Sequence, residues 1–288
     1  MTETQWQFFT EFRQNFKEQC SQWNEKFAAQ LEPLQRVAAS KDTPEYSVET
    51  GVVYNHALDE VTQDTDIKLI VIGDNPGKDE QLQRNQRYLV GQAGKIAAGF
   101  FSRNPELGID FRKNTIILNK TPVHTAKTAH LRQLLKSGKP EITRLLQESQ
   151  RWMATQTALL HQVLCSASGS CGKDASSGEN ACSAGWNGCQ LWLVGYAELK
   201  GRGLFLDYRD QLAKSYGVPL VGAVEAGSVP QGVLPQWNQV MVYQHFSMNR
   251  FTIDLSEKLT SGKINSQLPL QEQLAVLGAL HRQEIFGC

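Results

Sequence analysis

The sequence predicts an α/β protein: a mainly parallel sheet of four to five strands with helices on both faces. Three observations carry this. Short apolar runs recur at residues 68–72, 115–118, 191–194 and 240–243. Each is nearly continuous rather than alternating, as expected of a strand covered on both sides. Helix-period segments separate the runs, and that alternation favours parallel strands joined by crossover helices.

Taken in order, the chain opens with Trp6, Phe9, Phe12, Phe16, Cys20, Trp23, Phe27, Leu31 and Leu34. The spacings of three and four make one apolar stripe on a helix, which needs a body to cover it. Core packing is therefore expected here, not a stacking surface. Helical patterns follow at 94–101, 129–136, 142–164 and 204–216, and residues 218–221 form a candidate fifth strand. Internal repeats are not evident. Residues 165–189 stand apart, with six Ser, five Gly and four Cys. That composition builds no core, so it reads as a loop inserted between a helix and a strand. The expected organisation is an N-terminal amphipathic helix at 1–45, an α/β domain at 46–255 carrying this insertion, and a helical tail at 256–288.

A length of 288 residues corresponds to one or two domains. With 41% hydrophobic, 20% charged and 9% aromatic residues, the composition excludes wholesale disorder, collagen and a small disulfide scaffold. No apolar run approaches the ~18–20 residues of a membrane helix. The opening residues 1–6 have neither a basic nor an apolar signal region, so a cytoplasmic address is expected.

Twenty-nine basic and 29 acidic residues cancel, which argues against binding nucleic acid by bulk charge. The charges are unevenly spread, however. Residues 112–140 contain no Asp or Glu but include Arg112, Lys113, Lys120, Lys127, Arg132, Lys136 and Lys139. Residues 81–105 and 226–253 are also free of acids. Such stretches are either solvated faces paired with distant acids or surfaces that meet phosphate.

In a parallel sheet, ligands bind beyond the carboxyl ends of the strands. The loops after Ile72, Leu118, Val194 and Tyr243 are therefore the candidate site. The first reads Gly73-Asp-Asn-Pro-Gly77, a tight turn that presents Asp74 and Asn75 at the sheet edge. Asp serves as a base or stabilises a cation, and Asn orients water, although the same residues are ordinary turn formers. This loop is neither a dinucleotide fingerprint nor a Walker loop. The second loop places Asn119 at a strand end, where its amide suits the edge of a nucleobase or forms a simple Asx turn. The last puts His245 beyond the fourth strand, in an acid-free stretch.

Together these loops resemble the uracil-DNA glycosylase superfamily. Residues 69–80, LIVIGDNPGKDE, followed by Arg87-Tyr-Leu-Val-Gly-Gln-Ala-Gly-Lys95, are similar to the G-E-A-P-G…R-P-F-V-G-x-A-G-K pattern of its iron–sulfur branch. Asn75-Pro-Gly77 is similar to the G-x-N-P-G of other branches. Residues 116–119 resemble the strand ending in a base-reading Asn, 244–247 the H-P-S loop, and 193–197 an L-G-x-A segment. The resemblance spans residues 66–253. It implies a three-layer α/β/α sandwich and cleavage of a base–sugar bond after the base has left the stack.

By the same resemblance, Asn75 positions water, with Asp74 beside it to activate that water or stabilise the cationic sugar. His245 would stabilise charge on the departing base. Asn119 would read the base edge, within a pocket formed by Gly73, Gly77, Tyr88 and Leu89. Ser247, Arg250, Lys120 and Arg87 would meet DNA phosphates, and Met248 or Phe246 would wedge into the gap left by the base. Two positions depart from the pattern: Leu89 stands where the family has a stacking Phe, and Phe246 where it has Pro. The iron–sulfur branch has paired cysteines ahead of the first motif, whereas here Cys20 alone precedes it.

Cys165, Cys171, Cys182 and Cys189 are spaced C-x5-C-x10-C-x6-C. Without C-x2-C pairs the expectation is no cofactor, with zinc or an iron–sulfur cluster as the alternative. The functional expectation is a hydrolase that cleaves the N-glycosidic bond of uracil or a related damaged base. Its partner would be DNA, with single-stranded DNA a candidate form, with no membrane involved and the chain monomeric. The alternative is a catalytically silent relative that binds nucleic acid, a nucleotide or a protein.

Overall fold

A computed structural model describes residues 1–166, 188–219 and 232–287. Its centre is a parallel sheet of β1 (Leu69–Gly73), β2 (Thr115–Asn119), β3 (Gln190–Val194) and β4 (Val240–Tyr243), in the order β2-β1-β3-β4. Every residue of the four strands is buried, which is why the sequence shows them as unbroken apolar runs. Of the candidate fifth strand, Val218 is described and is not in a strand, while 220–221 lie outside the described residues.

Seven α-helices surround this sheet among the described residues. They are α1 (Glu3–Ala39), α2 (Gln92–Arg103), α3 (Thr128–Leu135), α4 (Pro140–Ser166), α5 (Leu206–Ser215), α6 (Arg250–Thr260) and α7 (Leu270–Phe286). Helix α4 packs against α1, α3 and α5. On the other side Trp192 of β3 lies against Phe101 of α2 and Phe251 of α6, and α6 packs on α7. These contacts, with right-handed crossovers, give three layers: α2, α6 and α7, then the sheet, then α1, α3, α4 and α5.

Helix α1 opens with a capping box between Thr2 and Gln5 and buries the aromatic stripe expected of it. Phe16 and Trp23 both meet Trp152 of α4. The tail is not an appendage. The expected boundary at 255 falls inside α6, and α7 lies directly on β4. Gly278 makes that approach possible: a Cβ there would stand 2.7 Å from Cβ of Met241 and 2.8 Å from the Tyr243 hydroxyl.

The strand order also fixes where a ligand site can form. The chain leaves β1 towards β2 on one side and returns to β3 on the other, so the sheet reverses direction between β1 and β3. Beyond the carboxyl ends of these two strands there is a crevice, which is the usual place for a ligand in such sheets.

A substitution at Gly278 tests this packing, because two effects oppose each other there. In an open helix, Gly→Ala stabilises by up to ~1 kcal/mol. Against β4 the added methyl must displace the strand or the helix, an overpacking cost of about 1–3 kcal/mol. Urea unfolding of Gly278→Ala is expected to show net destabilisation.

Candidate active site at the sheet edge

The crevice is organised around one buried ion pair. Lys120 follows β2 and is fully buried. Its Nζ lies 2.6 Å from Oδ1 of Asp74, donates to the carbonyl of Val194 and stands 3.5 Å from that of Gly73. The Phe205 ring lies 5.0 Å from the same ammonium. Burial pushes the Lys120 pKa down, and the Asp74 carboxylate opposes that shift. The other Asp74 oxygen accepts from Thr128 at 3.1 Å. Gly195, with φ +95°, completes the enclosure, because a Cβ there would fall 2.2 Å from Asp74 Oδ1. Lys120, expected at a DNA phosphate, instead binds the ends of β1, β2 and β3 together from inside the protein.

The next residue of the first loop, Asn75, is fixed by its amide nitrogen. Nδ2 donates to the carbonyl and hydroxyl of Thr125 at 2.9 and 3.0 Å, and to the Pro76 carbonyl at 3.2 Å. This leaves Oδ1 as the acceptor with no hydrogen bond among the described residues. The loop is supported from below by His124, whose Nδ1–H donates to Pro76 O at 2.9 Å while Nε2 accepts from the Tyr46 hydroxyl at 3.0 Å. Burial pushes this imidazole down to about 4, so it stays neutral in that arrangement.

Asn119 ends β2 and is 1% exposed. Its Oδ1 packs on Gly73, where a Cβ would approach to 2.3 Å, and its Nδ2 is buried without a partner among the described residues. A donor left in this condition costs about 1–3 kcal/mol unless a ligand satisfies it.

His245 lies beyond β4 and feels the charges of both Asp74 and Lys120. Burial lowers its pKa and favours the neutral ring. Ser247 approaches Nδ1 twice, with its backbone N–H at 3.1 Å and its hydroxyl at 2.8 Å. An N–H can only donate, so Nδ1 is the acceptor and the neutral ring carries its proton on Nε2. Ser247 thus acts as the orienter of His245 and not as the phosphate ligand expected of it.

Several other expected site residues have different placements. Tyr88 is fully buried and gives its hydroxyl to Val53 O at 2.5 Å, so its ring belongs to the core and not to a base-covering surface. Phe246 is fully buried against Phe251, so it cannot serve as the wedge. Met248 is 73% exposed at φ +54°, and Arg250 is exposed at the start of α6. Arg87 pairs with Glu60. Leu89 is buried in the core, with φ +52°. Gly77 lies beside Glu80. Sequence reasoning passed over Thr125, Thr128, His124 and Glu80. A signal was present for His124, which stands in the loop after β2.

Of the four insertion cysteines, Cys171 and Cys182 lie outside the described residues. Cys165 donates to Cys189 O at 2.9 Å and stands 3.2 Å from Nε2 of His161. Burial pushes the Cys165 thiol up to about 12 and raises Cys189 as well, which keeps both protonated. Among the described residues no group of three His, Cys, Asp or Glu side chains is placed to hold a metal ion. No described helix is long and apolar enough to cross a membrane. Cavities of about 340 and 460 Å3 lie elsewhere, beside Lys68 and Cys189 and beside Ser102 and Arg112. The crevice is singled out by its chemistry. Comparison with family models, with curated proteins and with solved structures found no match.

Removing one member of the central pair should be costly. Lys120→Met leaves Asp74 as a buried charge without its counter-ion and is expected to lose about 3–5 kcal/mol in urea unfolding. A second substitution, Asp74→Asn, should restore most of that loss. If Lys120→Met alone were neutral, the pair would not organise the crevice.

Proposed function

We propose that the protein is a DNA glycosylase-like hydrolase that removes uracil or a related base turned out of the DNA stack. The observation that carries this reading is a pair of donors beyond the carboxyl ends of the strands: Nδ2 of Asn119, buried without a partner among the described residues, and the Nε2–H that the Ser247 contacts at Nδ1 assign to His245. Two donors suit the carbonyl oxygens of a pyrimidine, and the resemblance of the loops to the uracil-DNA glycosylase superfamily points to the same chemistry.

In this reading Asn119 donates to a base carbonyl and selects for an acceptor at that position. His245 donates from Nε2 to the carbonyl oxygen on which negative charge collects as the base departs. A neutral donor suits this role, since it stabilises the developing anion without first transferring a proton. The C1′–N bond breaks with its electron pair going to the base; water held on Asn75 Oδ1 supplies the new oxygen at C1′, and the proton it loses neutralises the departed base anion. Asp74 has both oxygens engaged, by Lys120 and by Thr128. Its part is therefore to set negative charge near the cationic sugar and not to take the proton from water. Met248 is the exposed apolar side chain available to fill the vacated stack.

The second reading, a silent nucleic-acid binder, is favoured by Leu89. It offers no π-face where stacking would be worth about 1–3 kcal/mol per base.

A strand-cleavage assay separates the two. Uracil-containing oligonucleotides, single-stranded and U·G-paired, are incubated with the protein and then treated with alkali. Excision is expected from the wild type, reduced about 100-fold or more in Asn75→Ala and in His245→Ala. No product from folded protein in excess overturns the proposal. Salt-sensitive binding of the same oligonucleotides would then favour the silent reading.

A further inference from the structure

The larger of the two cavities lies between α2 and the chain that leads into β2. Its volume is about 460 Å3, within the range of roughly 300–1,000 Å3 that small-molecule sites occupy. Ala98 and Phe101 of α2, with Ile109 and Phe111 from the approach to β2, give it an apolar lining. The Phe101 and Phe111 rings are stacked, with centroids 5.4 Å apart and planes at 10°, and both residues are buried. They are also fixed from behind, since Phe101 lies against Trp192 of β3 and Phe111 meets Phe246 edge-on. This wall belongs to the packed core, so its shape does not depend on an occupant.

Ser102, Asp110 and Arg112 add the polar part of the lining. The two charged residues do not pair with each other. Asp110 is engaged within its own turn, where Oδ1 accepts from the backbone N–H groups of Arg112 and Lys113 at 2.9 and 3.2 Å. Its Oδ2 lies 3.8 Å from Nζ of Lys113. Glu106, on the neighbouring turn, is exposed and does not line the cavity.

Arg112 has no comparable partner. Its guanidinium lies 5.2 Å from the Phe111 ring and donates to the carbonyls of Tyr88 and Leu89. The charge of Glu80 reaches it, but the two side chains form no ion pair among the described residues. Two carbonyls leave several of its N–H donors over and bring no negative charge. A guanidinium held on an apolar wall without a counter-ion suits a carboxylate, which it meets through charge-assisted hydrogen bonds.

We propose that this cavity binds a small molecule with an apolar body and one carboxylate, the body lying against Phe101 and Phe111 and the carboxylate on Arg112. The Ser102 hydroxyl, in the same lining, is a further donor for the head group. Arg112 is already held by two carbonyls, so little ordering cost remains when the ligand arrives. The site is separate from the crevice and does not rest on the excision reading.

Octanoate and octanamide, titrated into the whole chain and followed by NMR through the backbone amides of residues 98–112, test this. Octanoate is expected to shift these resonances along one saturable curve. Octanamide has the same body without the charge and should bind about tenfold or more weakly. Ala98→Trp fills the cavity and leaves Arg112 in place, and it should abolish the response while the spectrum stays that of a folded protein. Arg112→Gln should bring octanoate down to the affinity of octanamide. Shifts that are absent from residues 98–112 overturn the proposal, as do equal affinities for acid and amide, a response that survives in Ala98→Trp, or undiminished octanoate binding in Arg112→Gln. The acid–amide comparison uses the unaltered protein and so decides the matter even if a variant fails to fold. No DNA is present, so this result and that of the excision assay are independent.

Discussion

The Lys120 ammonium sits at the point where the sheet reverses direction, out of reach of solvent, and its charge sets the demands that its neighbours meet. Asp74 supplies the counter-charge, the carbonyls of Val194 and Gly73 take further contacts, and Phe205 covers one side. Gly195 has to be a residue without a Cβ, because the Asp74 carboxylate occupies the space one would need. The ends of three strands are thereby joined through one side chain. Asn75 and Asn119 adjoin Asp74 and Lys120 in the chain, so the positions of the two amides depend on this pair. His245 lies within the field of both charges.

A buried ion pair is a poor way to gain stability, because well-packed apolar residues of similar volume often do as well or better. Its presence at the switch point makes more sense as the means of fixing the position of the Asp74 carboxylate at the mouth of the crevice. The surrounding groups follow the same pattern. Ser247 fixes the tautomer of His245, Thr125 fixes the rotation of Asn75, and Tyr46 with His124 supports the turn that carries it. Each holds a site residue, or the turn that carries it, in one orientation. This is what preorganisation requires, since the site then needs little rearrangement when a ligand arrives.

The strands were legible because all four are covered on both faces, which turns burial into an unbroken apolar run; residues 218–221 imitate such a run, and Val218 is not in a strand. The aromatic stripe of α1 was legible for a similar reason, since a spacing of three and four over 29 residues has few explanations. The division of the tail was not. The break at 255 falls within α6, and the contact of α7 with β4 depends on Gly278, a residue whose role appears only once the strand lies against it. Within the site, the positions of Asp74, Asn75, Asn119 and His245 followed from where the strands end. The partners did not. Lys120 and Ser247 read as phosphate ligands because a basic or hydroxyl side chain near a sheet edge says nothing about which way it turns. That direction was set by Asp74 in one case and by the His245 ring in the other.

The central claim is that the donors of Asn119 and His245 form one base-reading edge. The most direct measurement is an NMR titration of the protein with free uracil, following the Asn119 side-chain amide and the His245 Nε2–H. Both resonances are predicted to shift together, saturating along one binding curve, with no such response to a base that presents donors in place of the carbonyls. Shifts confined to other parts of the molecule, or no response from either group at saturating uracil, would contradict the account.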